Sequence, residues 1–421
     1  MMRIIHTSDW HLGKTLDGIS RIQEQRDFID ELHQMVVEQN AHLVLIAGDI
    51  YDTFNPSAEA EDLFYYALEK LSENGRRGVV VIAGNHDNPE RLSAPEYLAR
   101  HHGITLVGFP KDTVSAGGAP GRVQRTASGP GWVRLQIPGC DHQATLVTLA
   151  YPSEARLGEL FDLHFTNDSP QQPDDQKIAL DYRNKVKELL NLMTREFRKD
   201  TVNIILSHLF YGQGITSDER ILSIGGLNAI QATDLPSSSY VQYVALGHLH
   251  RPQSFYEPGY PVCYSGSPLA YSFSEAGQQK KVILIEAEPA REVKIVDLPL
   301  KSGFPLVRKT FPSYQQALAW CSQLENQNQW VDMEIIHPTP LSSPQMRELK
   351  SRHSRIVNLR AILPQQGEAA EPQIAPRRLA ELSLIEKFIA FYKEKNANAE
   401  PSPELIDLFV ELTENLEEAD D

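Results

Sequence analysis

Cysteine is scarce: Cys140, Cys263 and Cys321 are the only three in 421 residues, far apart and with no C-x-x-C pair. An odd, scattered set argues against a disulfide framework and against a thiolate zinc site, and it suits a reducing cytoplasm. Long apolar runs are missing too. The longest, such as Val79 to Ala83, are strand-sized, and MMRIIHTSDWH at the start holds too short an apolar stretch for a signal-peptide core, so neither export nor a membrane span is expected. No G-x-x-x-x-G-K-S/T occurs, and Gly212-Gln213-Gly214 lacks the third glycine and the helix start of a dinucleotide loop, so the chain does not bind ATP by that route. There is no basic stripe, and the formal net charge is −16. More than half of that excess falls on residues 368–421, where 14 acidic residues face 5 basic ones, so a nucleic-acid partner stays admissible for the rest.

What is present is an ordinary globular composition, 41% apolar and 23% charged, in a chain longer than the roughly 250–300 residues at which single cores stop growing. Two or three units are expected. Five segments, RIIHTSDWH, LVLIAGDIYD, VVVIAGNHD, NIILSHL and YVALGHLH, each run from a short apolar stretch into Gly, Ser, Asp, Asn or His. Such runs mark strands buried on both faces, so polar chemistry gathers where strands stop. Between them, Phe28, Ile29, Leu32, Val36 and Val37, then Leu63, Phe64, Ala67, Leu68 and Leu71, then Tyr182, Val186, Leu189, Leu190, Met193 and Phe197 recur at helical spacing. Asn55 and Pro56 read as cap and first residue of the second helix, and Gly75 as its stop. Alternation of this kind predicts an α/β domain over 1–281, with its site at strand carboxyl ends.

Weaker strand signals from VILIEA and EVKIVDL to IVNLRAIL predict a small second α/β domain over 282–363. PQQGEAAEPQIAPRR reads as a linker over 364–378. In 379–421 two short apolar stripes follow, one through Leu382, Ile385, Ile389 and Tyr392 and one through Leu405, Phe409, Leu412 and Leu416. Helices this short are marginal alone in water, so their faces must pack on something, whether a partner or their own chain.

At the strand ends lie Asp9-x-His11, Gly48-Asp49-x-x-Asp52, Gly84-Asn85-His86-Asp87, Ser207-His208 and Gly247-His248-x-His250. Strand alternation would turn Asp9 and His11 to one face, and likewise His248 and His250. The glycines leave room for tight turns beside the ligands. Any one cluster could be packing. Five together, using five of the 14 histidines, have no packing rationale, because each buried unpaired polar group costs about 1–3 kcal/mol. Carboxylate, amide and imidazole donors without thiolate favour manganese or iron over structural zinc.

In this order the motifs resemble the calcineurin-like metallophosphoesterases, whose fold is a β-sandwich flanked by helices. The fuller phrases HTSDWHLGK, AGDIYDTFNPS, AGNHDNPERL, ALGHLHRPQ and YSGSPLAYSFSE are similar to the bacterial SbcD family of nuclease subunits, relatives of the archaeal and eukaryotic double-strand-break repair nucleases. The resemblance implies one ion on Asp9, His11, Asp49 and His250 and a second on Asp49, Asn85, His208 and His248, with Asp49 bridging and manganese as the expected metal. It implies a phosphodiesterase that cuts DNA as exonuclease and endonuclease and processes ends and hairpins. It also implies a capping domain over 282–363 and a helical docking element over 379–421 for an SMC-like ATPase of the SbcC type, in a heterotetramer with two copies of each subunit.

His86 stands apart from the ligands and reads as a phosphate contact or general acid, oriented by Asp87, or else as a support for Asn85. Asp52 occupies a position where some relatives carry histidine and reads as structural or as a support behind the ligands. Lys14, Arg21, Arg26, Arg91 and Arg251 could meet further phosphates, or be solvated surface charge. Tyr51, Phe54, Tyr271 and Phe273 could stack on unpaired bases, or be core. The rival enzyme is a metallophosphoesterase for phosphoproteins, nucleotides or lipid headgroups, and the rival of another class is a catalytically dead scaffold.

Overall fold

The computed structural model describes residues 1–160, 175–212, 214–216, 229–238, 240–256 and 259–362, with four single positions, Phe388, Tyr392, Pro401 and Leu405. The chain divides into two units, Met1–Leu363 and Pro364–Asp421. The expected linker and the two apolar stripes of the tail lie outside the described residues apart from those single positions.

The apolar runs form strands at the positions read from sequence. β1 (Met2–Thr7), β2 (Leu43–Ala47), β3 (Gly78–Ile82) and β4 (Ile104–Val107) pair in parallel. A second sheet follows from β5 (Gln124–Gly129), β6 (Trp132–Gln136), β7 (Gln143–Leu149), β8 (Thr201–His208), β9 (Tyr243–Gly247), β10 (Gln253–Phe255) and β11 (Val262–Tyr264), in spatial order β10-β11-β9-β8-β7-β6-β5. The chain then returns to the first sheet as β12 (Lys281–Ala287) and β13 (Lys294–Pro299), antiparallel beside β1. This corrects the boundary expected at 281: VILIEA and EVKIVDL belong to the first sheet, which runs through Pro299. The physical reason is visible in β12, where Val282, Ile283, Leu284 and Ile285 are all buried; such a run needs cover on both faces and a partner on each side.

Alternation then builds the layers. Val202, Ile204 and Leu206 of β8 point into one core with Val44 and Val80 of the first sheet, while Ile205 points the other way into a second core. There it meets helix α3 (Asp175–Met193), whose stripe Tyr182, Val186, Leu189 and Met193 covers the outer face. Helices α1 (Ile22–Glu38) and α2 (Ala58–Ser72) join the first core through Phe28, Leu32, Leu63 and Phe64. The cap of α2 is Ser57, whose Oγ accepts from Ala60 N, and not Asn55; Pro56 precedes the cap.

Beyond Pro299 lies a three-stranded parallel sheet, β14 (Leu306–Phe311), β15 (Trp330–Ile336) and β16 (Ile356–Ile362). Helices α4 (Tyr314–Cys321) and α5 (Ser343–Arg352) contribute to its core with Val331, Met333 and Ile335. It is fastened to α1 by a buried polar joint. Arg21 forks onto Glu24 and donates to the Ala270 carbonyl, while Glu24 accepts from Trp330 Nε1 at 3.0 Å and Phe304 N at 2.7 Å. Replacing Glu24→Ala leaves a buried guanidinium unpaired, so urea unfolding should show a loss of about 3–5 kcal/mol; a loss below about 1 kcal/mol, the worth of an exposed pair, would contradict the joint.

Candidate metal centre

Loops leaving the carboxyl ends of β1, β2, β3, β8 and β9 meet where the two sheets face each other. Asp9 and His11 lie past the end of β1, and His248 and His250 past the end of β9, so strand alternation is not what aims them. Left-handed backbone is. Asp9, His11 and Asp49 sit at φ of 53°, 45° and 50°, and His248 at 109°. Such residues cost about 1–3 kcal/mol each and persist only where their surroundings hold them. Here the holding is explicit: Asp9 N donates to Gly48 O, His11 N to Asp49 O, and His248 N to Asp9 Oδ1. Gly84 and Gly247 allow close approach, since a Cβ on the first would collide with the Asp49 carboxylate and on the second with the Ala47 carbonyl of the facing sheet.

Among the described residues three groups of donors have ligand atoms within 4.8 Å of one another: His11, Asp52 and His86 at the half-buried rim, and two fully buried groups, Asp9, His11 and His250, and Asp9, Asp49 and His208, which carry the candidate centre. Asn85 Oδ1 lies 2.9 Å from His208 Nε2 and 3.0 Å from His248 Nδ1. Asp49 Oδ2 stands between the groups, 3.4 Å from His208 Nε2 and 3.7 Å from His11 Nε2. His248 and His250 therefore part company, one toward each group. Asp9, His11, Asp49, His208 and His250 are buried, whereas Asn85, His86 and His248 are half-buried and mark the open side.

The electrostatics call for positive charge. Burial lifts the Asp9 carboxyl to about 6. Burial pushes Asp49 the same way, but the charge and hydrogen bond of His208 outweigh it and hold that carboxyl well below the usual range. Burial alone would lower His208, and Asp49 instead raises it to about 9. Burial lowers His11 to about 4. The imidazoles add a further demand: His11 Nε2 and His250 Nε2 face each other at 3.0 Å, while buried His11 Nδ1 has no hydrogen-bond partner and lies 3.5 Å from Asp52 Oδ1. With His250 Nδ1–H on the Glu275 carboxylate, its Nε2 carries a lone pair. If His11 donates to it from Nε2, the His11 Nδ1 lone pair opposes the Asp52 carboxylate, and if His11 donates from Nδ1, two Nε2 lone pairs meet. A cation at the Nε2 atoms removes both conflicts. The residues fit divalent metal, with carboxylate, amide and imidazole donors and no thiolate.

The calcineurin-like phosphoesterase family model matches residues 2–252. The SbcD subunit of the SbcCD nuclease from Bacillus subtilis is 38% identical over 422 residues, covering all of both chains. The corresponding SbcD protein from Staphylococcus epidermidis is 28% identical over 92% of each chain, and that of Rhodobacter capsulatus 32% identical over 71% of this chain and 69% of its own. The chain belongs to the SbcD family of calcineurin-like phosphoesterases.

Several residues around this phosphoesterase site differ from their expected places. Asp87 does not orient His86; buried, it accepts from Gly84 N, Ile50 N and Tyr51 N and ties two of the loops together. What orients His86 is the Asp52 carbonyl, 2.7 Å from its Nδ1, together with Asp49 Oδ1, which accepts from its backbone N. Arg21 is 1% exposed in the joint described above and cannot meet a phosphate. Lys14 stands beside the site with its ammonium on Asp52 Oδ1 at 2.6 Å, Arg91 pairs with Glu61, Arg26 stacks on Tyr66, and Arg251 is exposed. Tyr51, Tyr271 and Phe273 are buried, leaving Phe54, 54% exposed, as the aromatic of that set at the surface. Sequence reasoning missed Ser8 and Ser265, which brace Asp9 in series, and Glu275 beside His250. All three fall inside the SbcD-like phrases, but nothing in their spacing marks them.

Asp9 and His208 hold protons up to about pH 6 and about pH 9, and each must release its proton to serve as a ligand. Protons therefore compete with the cation, so divalent-metal affinity measured by calorimetry should rise steadily from about pH 5 to about pH 8, with proton release. An affinity flat across that window would contradict the assignment.

Proposed function

We propose that the chain is the metal-dependent DNA nuclease subunit of an assembly with an SMC-like ATPase of the SbcC type, cutting phosphodiesters at DNA ends and hairpins. The observation that carries this reading is the full-length 38% identity to a nuclease subunit, supported by the buried donor groups of Asp9, His11 and His250 and of Asp9, Asp49 and His208. Asp9, His11, Asp49 and His250 would hold one divalent ion and Asp49, Asn85, His208 and His248 the other, with manganese favoured by the hard and imidazole donors. When bound, the pair lowers the pKa of an attacking water and neutralises charge on the phosphate oxygens.

The chain's own residues supply the rest. Asp49 keeps the two donor groups in fixed relation, since its carboxylate touches both and its backbone carbonyl holds His11. His86 keeps Nδ1–H on the Asp52 carbonyl and, as the imidazolium, would give its Nε2 proton to the departing oxygen and end as the neutral Nδ1–H form. Lys14, half-buried at the rim, and exposed Arg251 are available for phosphates beyond the scissile one. The small sheet of 306–362 is read as the cap that guides duplex DNA, and the segment 379–421 as the docking element for the ATPase, in a heterotetramer of two copies each. A cytoplasmic location accords with three free cysteines.

The test compares manganese-dependent cleavage of end-labelled hairpin DNA with hydrolysis of a nitrophenyl phosphodiester, for the intact protein and for His86→Ala. Hairpin cleavage is expected from the intact protein. The variant should keep its metal and lose about 10²–10⁴-fold on DNA but far less on the ester, whose leaving group needs no proton. Ester hydrolysis without any DNA cleavage would overturn the nuclease reading, and equal losses on both substrates would remove His86 as the acid.

A further inference from the structure

Behind His11 and His250 the structure repeats one arrangement. Asp52 Oδ1 stands 3.5 Å from His11 Nδ1 and is held by Lys14 Nζ. Glu275 Oε1 stands 3.2 Å from His250 Nδ1, and its other oxygen is held by Lys280 Nζ. Each imidazole backs onto a carboxylate, and each carboxylate onto an ammonium. The settings differ: Lys14 and Asp52 keep about a quarter of their side-chain surface exposed, whereas Glu275 keeps 1% and Lys280 7%.

A buried ion pair is a poor device for stability alone, because apolar side chains of similar volume serve as well or better in the same space. The Glu275–Lys280 pair is spent instead on one histidine. Glu275 takes the hydrogen of His250 Nδ1 and is itself steadied by Tyr271 N at 3.2 Å and Ser267 Oγ at 3.3 Å. Lys280 donates to the His250 carbonyl at 2.9 Å and to Ser267 Oγ at 3.0 Å. His250 lies past the end of β9, so neither ring nor main chain is held there by a strand. The same pair holds both. Lys280 also precedes β12, and its carbonyl accepts from Leu300 N, which anchors the pair to the first sheet.

We propose that Glu275, backed by Lys280, is the positioning residue for His250. By accepting the Nδ1 hydrogen it selects the tautomer whose Nε2 carries a lone pair, and it turns that lone pair toward His11 and Asp9 before any cation arrives. The proposal rests on the reading of His250 as a metal ligand, and the test separates the two.

Full-length protein is titrated with manganese chloride by calorimetry, with cobalt(II) absorption as a second readout, for Glu275→Gln, Glu275→Asp, the double variant Glu275→Gln with Lys280→Met, and His250→Ala. The double variant removes the ammonium that Glu275→Gln leaves without its carboxylate, and thermal unfolding without metal checks the fold of each. One site should weaken by about 10–100-fold in Glu275→Gln and in the double variant, with the other unchanged and Glu275→Asp recovering part of the loss. The cobalt spectrum should change at the weakened site alone. Wild-type affinity at both sites in folded Glu275→Gln overturns the proposal, and so does an equal loss at both sites, the mark of general loosening. Should His250→Ala keep both ions at full affinity, the ligand reading falls and the proposal with it.

Discussion

Asp49 is the constraint on which the rest of the site depends. Its carboxylate lies between two groups of imidazoles, its carbonyl accepts from His11 N, and its Oδ1 accepts from His86 N. Reaching all of these from one Cα demands the left-handed backbone at φ 50° and a neighbour with no side chain, which Gly84 supplies. A buried carboxylate in that position also demands a counter-charge. His208, raised by the same carboxylate, meets the demand with a proton, and a cation can meet it by displacing that proton.

The sandwich makes this economy possible. The carboxyl ends of β1, β2 and β3 come from one sheet and those of β8 and β9 from the other, so a single gap between layers collects five loops from five distant parts of the chain. Contacts across the gap are polar and specific: His208 Nδ1 reaches the Ala47 carbonyl, and His248 N reaches Asp9 Oδ1. Below the gap the layers are closed by Val44, Val80, Ile204 and Leu206, which give the loops a rigid base. Chemistry is thus carried by strained, hydrogen-bonded loops, and stability by the apolar runs beneath them.

That division explains what the sequence made legible. Apolar runs buried on both faces carry a strong one-dimensional signal, and so do the abrupt breaks into Asp, Asn and His where they end. The strands and the clustering of polar residues at their ends could therefore be read, whereas the reason for convergence could not. Strand alternation was expected to pair His248 with His250, but both lie past β9, and φ of 109° at His248 turns it toward Asn85 and His208. Long-range pairing was equally hidden. Read along the chain, VILIEA falls into a second domain, because its partner β1 lies nearly 280 residues earlier. Sequence leaves Arg21 as a phosphate contact or a surface charge and cannot show its burial, which depends on Trp330 and Phe304 closing over it from the small sheet. Glu275 closes a single 3-10 turn, Phe273–Glu275, and Lys280 lies just before β12, both too short of regular structure for periodicity to mark them.

The central claim is that Asp49 joins two cation sites built from opposite sheets. Crystals grown with manganese and measured at its absorption edge test it directly. Two anomalous peaks, about 3.5–4 Å apart and both within ligating distance of the Asp49 carboxylate, are the predicted result. One peak, or a pair of which either fails to touch Asp49, would contradict it.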